Sequence, residues 1–256
     1  MPKKENGAMA SQLDFLIPAE ITRGGLAAWL QALAELPEIR TILEIGSSDG
    51  SGSTRRILQG LRRKNFPTQL FCLEVSRQRC ERLRQRLRGV PSAEAVWSSS
   101  VSPGDFLSEE DVMQFYRETS TRLNESPLEE VLRWRRQDLA YLKDHGVPTD
   151  GIARIIRENH LPAFDLVLID GSAFTGEAEL RAVPGARVIA LDDVNDIKNG
   201  KNFLTLSRHP EYRLLAMDLV WRNGFAIFVR HPWEGLIAQL REIFEKQSRW
   251  AGLWPW

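Results

Sequence analysis

The chain has little cysteine: Cys72 and Cys80 are the two among 256 residues. That pair offers neither a zinc-ligand spacing nor a disulfide framework, which excludes a zinc module and a disulfide-stapled scaffold. Histidine is nearly as scarce, and His145, His160, His209 and His231 are too scattered to make a metal-ligand spacing. A surplus of positive charge is also missing. Lys plus Arg number 34 and Asp plus Glu 34, whereas a dedicated nucleic-acid binder usually carries a basic excess to neutralise phosphates. No stretch approaches the roughly 20 apolar residues of a membrane-crossing helix. The opening MPKKENGAMASQ lacks the apolar segment of a secretory signal. Nucleic acid and membrane are therefore not expected as partners, and the cytoplasm is the expected location. Without a Walker loop, the commonest NTPase arrangement drops out too.

What is present is the pattern of an ordinary globular protein, 43% hydrophobic and 27% charged, long enough for a full core. Residues 1–20 read as a flexible lead and 21–232 as one α/β domain. Residues 233–256 read as a helix (234–247) with a tail holding Trp250, Trp254 and Trp256, either an interface anchor or a cover for the sheet edge. Within the domain, a helix ending near Pro37 precedes TILEIG at 41–46, a helix over 53–64, QLFCLEV at 69–75, an Arg-rich helix and EAVWSSS. Such alternation predicts βαβ units and a doubly wound, Rossmann-like, mostly parallel sheet. The next strand, FDLVLID, begins only at Phe164. The intervening 101–163 reads as a helical insertion over one edge of the core, with helices at 109–123, 128–144 and 151–158. Pro127 suits a helix start there, with Ser126 as N-cap. ARVIALDD supplies a fifth strand, followed by a helix near 199–207. YRLLAMDL and GFAIFVR complete a seven-stranded sheet through the hairpin signal Asn223-Gly224, the last strand antiparallel. The six arginines of 77–88 flank the stripe Cys80, Leu83, Leu87 on both sides, and read as a solvated helix surface.

The most informative stretch is LEIGSSDGSGST, 43–54. A strand ends on Glu44 and Ile45, then the chain passes Gly46, Ser47, Ser48, Gly50 and Gly52 before a helix opens at Ser53 or Thr54. Glycine allows positive φ and a close approach of ligand to backbone, and a helix start offers amides to a carboxylate or phosphate. The spacing is not the G-x-G-x-x-G of dinucleotide binders, which disfavours a nicotinamide-linked oxidoreductase. Glu74 closes the second strand some twenty residues on, where a carboxylate can bridge the two hydroxyls of a ribose.

Two further strands end in acid: FDLVLIDGS delivers Asp170, and VIALDDVND delivers Asp192 and Asp193. In a doubly wound sheet all of these should converge beyond the carboxyl ends of the strands. Clustered carboxylates repel unless a cation or proton relieves them, and three oxygen ligands with room for water and substrate would suit Mg²⁺. Other duties are open to the same acids: Asp170 on a ligand's amino group, and Asp193 or Asn195 as a helix cap. Glu177 and Glu179 read as helix-surface residues, Glu177 being the one able to face a substrate pocket.

The E-x-G-x-x-x-G-x-G arrangement at 44–52 resembles motif I of class I S-adenosylmethionine-dependent methyltransferases. The pair LVLIDGS and IALDDVN resembles small-molecule O-methyltransferases, and the string IDGSxFTGxAEL resembles a broad bacterial group of them. The resemblance spans roughly residues 41–230. It implies S-adenosylmethionine held by Glu44, Gly46, Ser47, Ser48, Gly50, Gly52, Ser53, Glu74 and Asp170, with Ser98 and Ser99 near the adenine. It also implies Asp170, Asp192 and Asp193 as ligands of a divalent ion, Mg²⁺, that would acidify the hydroxyl of a small-molecule acceptor. Asp170 would further help remove the proton. Gly171, Ser172, Ala173 and Phe174 follow Asp170, so the lysine base that catechol enzymes carry shortly after this acid has no counterpart there. Two other activities remain open: methyl transfer without a metal to nitrogen, oxygen or carbon, and cofactor binding without turnover.

Overall fold

A computed structural model describes residues 21–232 and 234–246. The lead expected over 1–20 and the tail with Trp250, Trp254 and Trp256 lie outside the described residues.

The chain opens with helix α1 (Gly25–Glu35), then alternates β1 (Thr41–Ile45), α2 (Ser53–Leu61), β2 (Gln69–Glu74), α3 (Arg77–Leu87) and β3 (Ala93–Trp97). The insertion follows, with α4 (Glu109–Glu118), α5 (Leu128–Asp144) and α6 (Gly151–Glu158). Then come β4 (Leu166–Ile169), α7 (Gly176–Ala182), β5 (Val188–Asp192), α8 (Gly200–Arg208), β6 (Tyr212–Asp218), β7 (Phe225–Arg230) and α9 (Glu234–Lys246). The strands form one sheet in the order β3-β2-β1-β4-β5-β7-β6, parallel except for β7, which runs antiparallel to both neighbours. Between β1 and β4 the winding reverses, and a crevice opens beyond the carboxyl ends of those strands.

Burial on both faces explains why the strands read as unbroken apolar runs. Side chains alternate between two cores. Ile42, Leu166 and Leu168 join α1, α2, α3 and α9 on one face. Leu43, Ile45, Val167 and Ile169 join the insertion and α7 on the other. The insertion therefore covers a face of the sheet, with Val131, Leu142, Ile152 and Ile155 in that second core, rather than only an edge.

Local chemistry adjusts several expected boundaries. The helix expected over 109–123 stops at Glu118, where Thr119 turns extended. A short 3₁₀ turn at Arg122–Glu125 then forms under a capping box between Thr121 and Asn124. Ser126 does not cap α5: the cap position is Pro127, without a side-chain bond, and the Ser126 carbonyl instead accepts from the Tyr116 hydroxyl.

Candidate functional site

The crevice holds a cavity of about 330 Å³, within the roughly 300–1,000 Å³ usual for small-molecule sites. One wall is the loop between β1 and α2. Gly46, Ser48 and Gly50 have φ of 84°, 51° and 78°, so the chain coils through left-handed conformations that favour glycine. Gly46, Ser47, Ser48, Gly52 and Ser53 line the cavity. The first turn of α2 carries no side-chain cap, which leaves its amides for an anionic group.

Glu74 lines the next wall, 95% withdrawn from solvent by its 5% exposure. Burial raises its carboxyl above the ordinary range, opposed by the Ser76 amide at 2.7 Å and by Arg79. Arg79 also lines the cavity and is buried. It therefore departs from the solvated arginine surface expected of α3. Ser98 and Ser99 lie where β3 ends, and the Ser98 hydroxyl reaches the Pro148 carbonyl at 2.8 Å. That bond, with Ser99 N to Pro148 O at 2.8 Å, fastens the insertion to the sheet. Phe106, Asp138 and Leu142 of the insertion complete the wall.

Two expected cofactor residues stand elsewhere. Glu44 is wholly buried behind the loop, where its carboxylate accepts from Thr54 at 2.7 Å and braces the start of α2. Gly50 packs toward Leu83 and Arg86 of α3. Neither borders the cavity. Glu179, expected on a helix surface, is fully buried and borders it. One of its oxygens accepts from Ser100 at 2.6 Å and Thr175 at 2.8 Å. The helix pattern alone hid this, because α7 is short and lies under the insertion.

At the far end stand the three acids, with ligand oxygens all within 4.8 Å of one another. Asp170 and Asp193 border the cavity, while Asp192 sits behind them. Lys198, which the sequence reading did not single out, lies between the first two. Its ammonium is 2.9 Å from Asp170 Oδ1 and 2.6 Å from Asp193 Oδ2. Arg222 reaches Asp192 Oδ2 at 3.1 Å. Burial raises Asp170, partly offset by Lys198. Burial, helped by Asp170 and Asp193, pushes Asp192 up to about 8. At Asp193 burial opposes ionisation, but Lys198 outweighs it and holds the carboxyl below its ordinary range. Lys198 itself is held above its ordinary range, the acids overcoming burial. A signal for this lysine existed: it follows the acidic pair by five positions on the same rim.

The donor chemistry of the triad suits a hard divalent ion, but one oxygen of each acid is already engaged by a cation of the chain. Asp193 and Asn195 do not cap α8; the cap position is Asn199, whose amide group ties the Ile169 and Asp192 carbonyls together.

Comparison with solved structures places this architecture. The fold is the Rossmann-like methyltransferase fold. A proposed O-methyltransferase from Klebsiella pneumoniae superposes with a TM-score of 0.50 at 16% identity, over 83% of each chain. A methyltransferase from Geobacter sulfurreducens does so with a TM-score of 0.50 at 12% identity, over 82% of each chain. No family model matches the sequence, and no curated protein matches it. Among the described residues, no helix is long and apolar enough to cross a membrane.

Proposed function

We propose that the chain is an S-adenosylmethionine-dependent methyltransferase that acts on an oxygen of a small molecule. The observation that carries this reading is the continuity of one cavity, from the left-handed glycine loop and Glu74 at one end to Asp170 and Lys198 at the other. The loop amides suit an amino-acid carboxylate, and Glu74 suits the ribose hydroxyls. Ser98 and Ser99 stand where a base would lie beside the third strand. When bound, S-adenosylmethionine supplies a methyl group on a positively charged sulfur.

The chain's own work is mostly positional. Holding two reactants in line and excluding water accounts for a large share of the acceleration such a transfer needs. The insertion provides the exclusion through Phe106 and Leu142. Asp170, on the cavity wall, is the group that would take the proton from the acceptor's hydroxyl as that oxygen is methylated. The balanced charge of the sequence and the enclosed cavity both favour a small acceptor over nucleic acid.

Calorimetric titration with S-adenosylhomocysteine tests the cofactor part, with NAD as the competing ligand. Micromolar binding of the first and none of the second is expected; the reverse overturns the reading. Release of S-adenosylhomocysteine across a panel of hydroxylated acceptors then separates an enzyme from a cofactor-binding protein without turnover.

A further inference from the structure

The acid triad that resembles a divalent-metal site already surrounds a cation of the chain. Lys198 contacts Asp170 at 2.9 Å and Asp193 at 2.6 Å, and its side chain is 12% exposed. Arg222 contacts the third acid, Asp192, at 3.1 Å, with 23% of its side chain exposed. Mg²⁺ requires ligand oxygens at about 2.0–2.1 Å in a near-octahedral shell. An ammonium donating to one oxygen each of Asp170 and Asp193 competes for lone pairs that such an ion would need.

The lysine's placement is built into the backbone on both sides. Asp193 takes a left-handed φ of 56°. Val194 and Asn195 then donate their amides to Gly224 and Asn223 at 3.3 and 2.9 Å. On the other flank, Asn199 bonds the Ile169 carbonyl at 3.0 Å and the Asp192 carbonyl at 2.6 Å. Lys198 therefore hangs between two anchored points. Its ammonium enters the cavity wall as a fixed charge.

We infer that Lys198 occupies the position of a catalytic divalent ion, so that the site works without a metal and Lys198 acts as the positioning residue for Asp170. This rests on the reading of the cavity as a methyl-transfer site.

Mn²⁺ binding tests the inference without cofactor or acceptor. The chelator-treated full chain is titrated with Mn²⁺, and the electron paramagnetic resonance signal of the free ion is followed. The expected result is a Kd weaker than about 1 mM, as for incidental surface carboxylates. Binding at micromolar Kd overturns the inference. Lys198→Met is then measured, and in case that chain does not fold, Lys198→Gln, which removes the charge, can still donate to the acids and leaves all three carboxylates in place. Removing the ammonium is expected to tighten Mn²⁺ binding at least tenfold; an unchanged affinity in a folded variant overturns the idea that the lysine fills a cation site. A parallel S-adenosylhomocysteine titration of the wild-type chain reports separately on the methyl-transfer reading, so failure of either is recognised on its own.

Discussion

Gly46 rests directly against the backbone of Asp170. A Cβ at Gly46 would stand 2.0 Å from the Asp170 carbonyl oxygen, and the glycine's φ is 84°. The first loop and the acid after β4 are thus one unit: neither can shift without the other, and both border the cavity.

The first prediction follows from that contact. Gly46→Ala meets backbone strain of about 1–3 kcal/mol and a clash with main chain that has no rotamer escape. A loss of roughly 3 kcal/mol or more in urea unfolding is expected, of the size that marks a named structural defect. Affinity for S-adenosylhomocysteine should fall with it. A variant of unchanged stability would show that loop and Asp170 are not so joined.

Glu74 offers a cleaner test of ligand recognition. Its carboxylate lies on the cavity wall, and losing a charged acceptor for two hydroxyls costs about 1.5–3 kcal/mol. Glu74→Ala should therefore weaken S-adenosylhomocysteine binding by roughly 10- to 150-fold. Equal affinities in wild type and variant, by calorimetry, would remove the ribose role from this residue.

Asp192 sets a pH dependence. Burial, with Asp170 and Asp193 beside it, raises its folded pKa to about 8, from an ordinary 3.8. Between those values the folded state holds a proton that the unfolded chain has released, so stability falls as pH rises through this window. The contribution is complete below the lower value and lost by the upper one. Asp192→Asn keeps a neutral polar group and removes this slope. Its melting temperature should exceed that of wild type increasingly from pH 5 to pH 8, then run parallel. A gap that shrinks with rising pH would contradict the assignment.

Glu179 is a buried tie between the loop after β3 and α7. Burial raises its carboxyl, opposed by Ser100 and Thr175, which donate to one oxygen. Glu179→Ala strands both hydroxyls, at about 1–3 kcal/mol, which for a chain of this size is a drop of roughly 2–12 °C. Glu179→Gln keeps an acceptor oxygen and needs no ionised group, so its melting temperature at pH 7 should match or exceed that of wild type. An equal loss in both variants would mean that the negative charge itself is needed.

Most of the fold was legible because parallel strands buried on both faces must be continuous apolar runs, and TILEI, QLFCLE, LVLI and VIALD are such runs in this chain. The helices at 128–144 and 151–158 showed their faces for the same reason of periodic burial. The glycine loop and the acids at the strand ends could be read as one rim, since topology alone puts strand carboxyl ends together. What each acid does there was decided by neighbours distant in sequence. Glu44 turns inward to Thr54, Arg79 turns from a surface row to the cavity, and Glu179 lies under an insertion whose packing no local pattern records. Lys198 meets Asp170 across 28 residues and Arg222 meets Asp192 across 30. Periodicity reports which side of an element is apolar; the partner of a buried charge depends on where separate loops come to rest, and only the folded chain determines that.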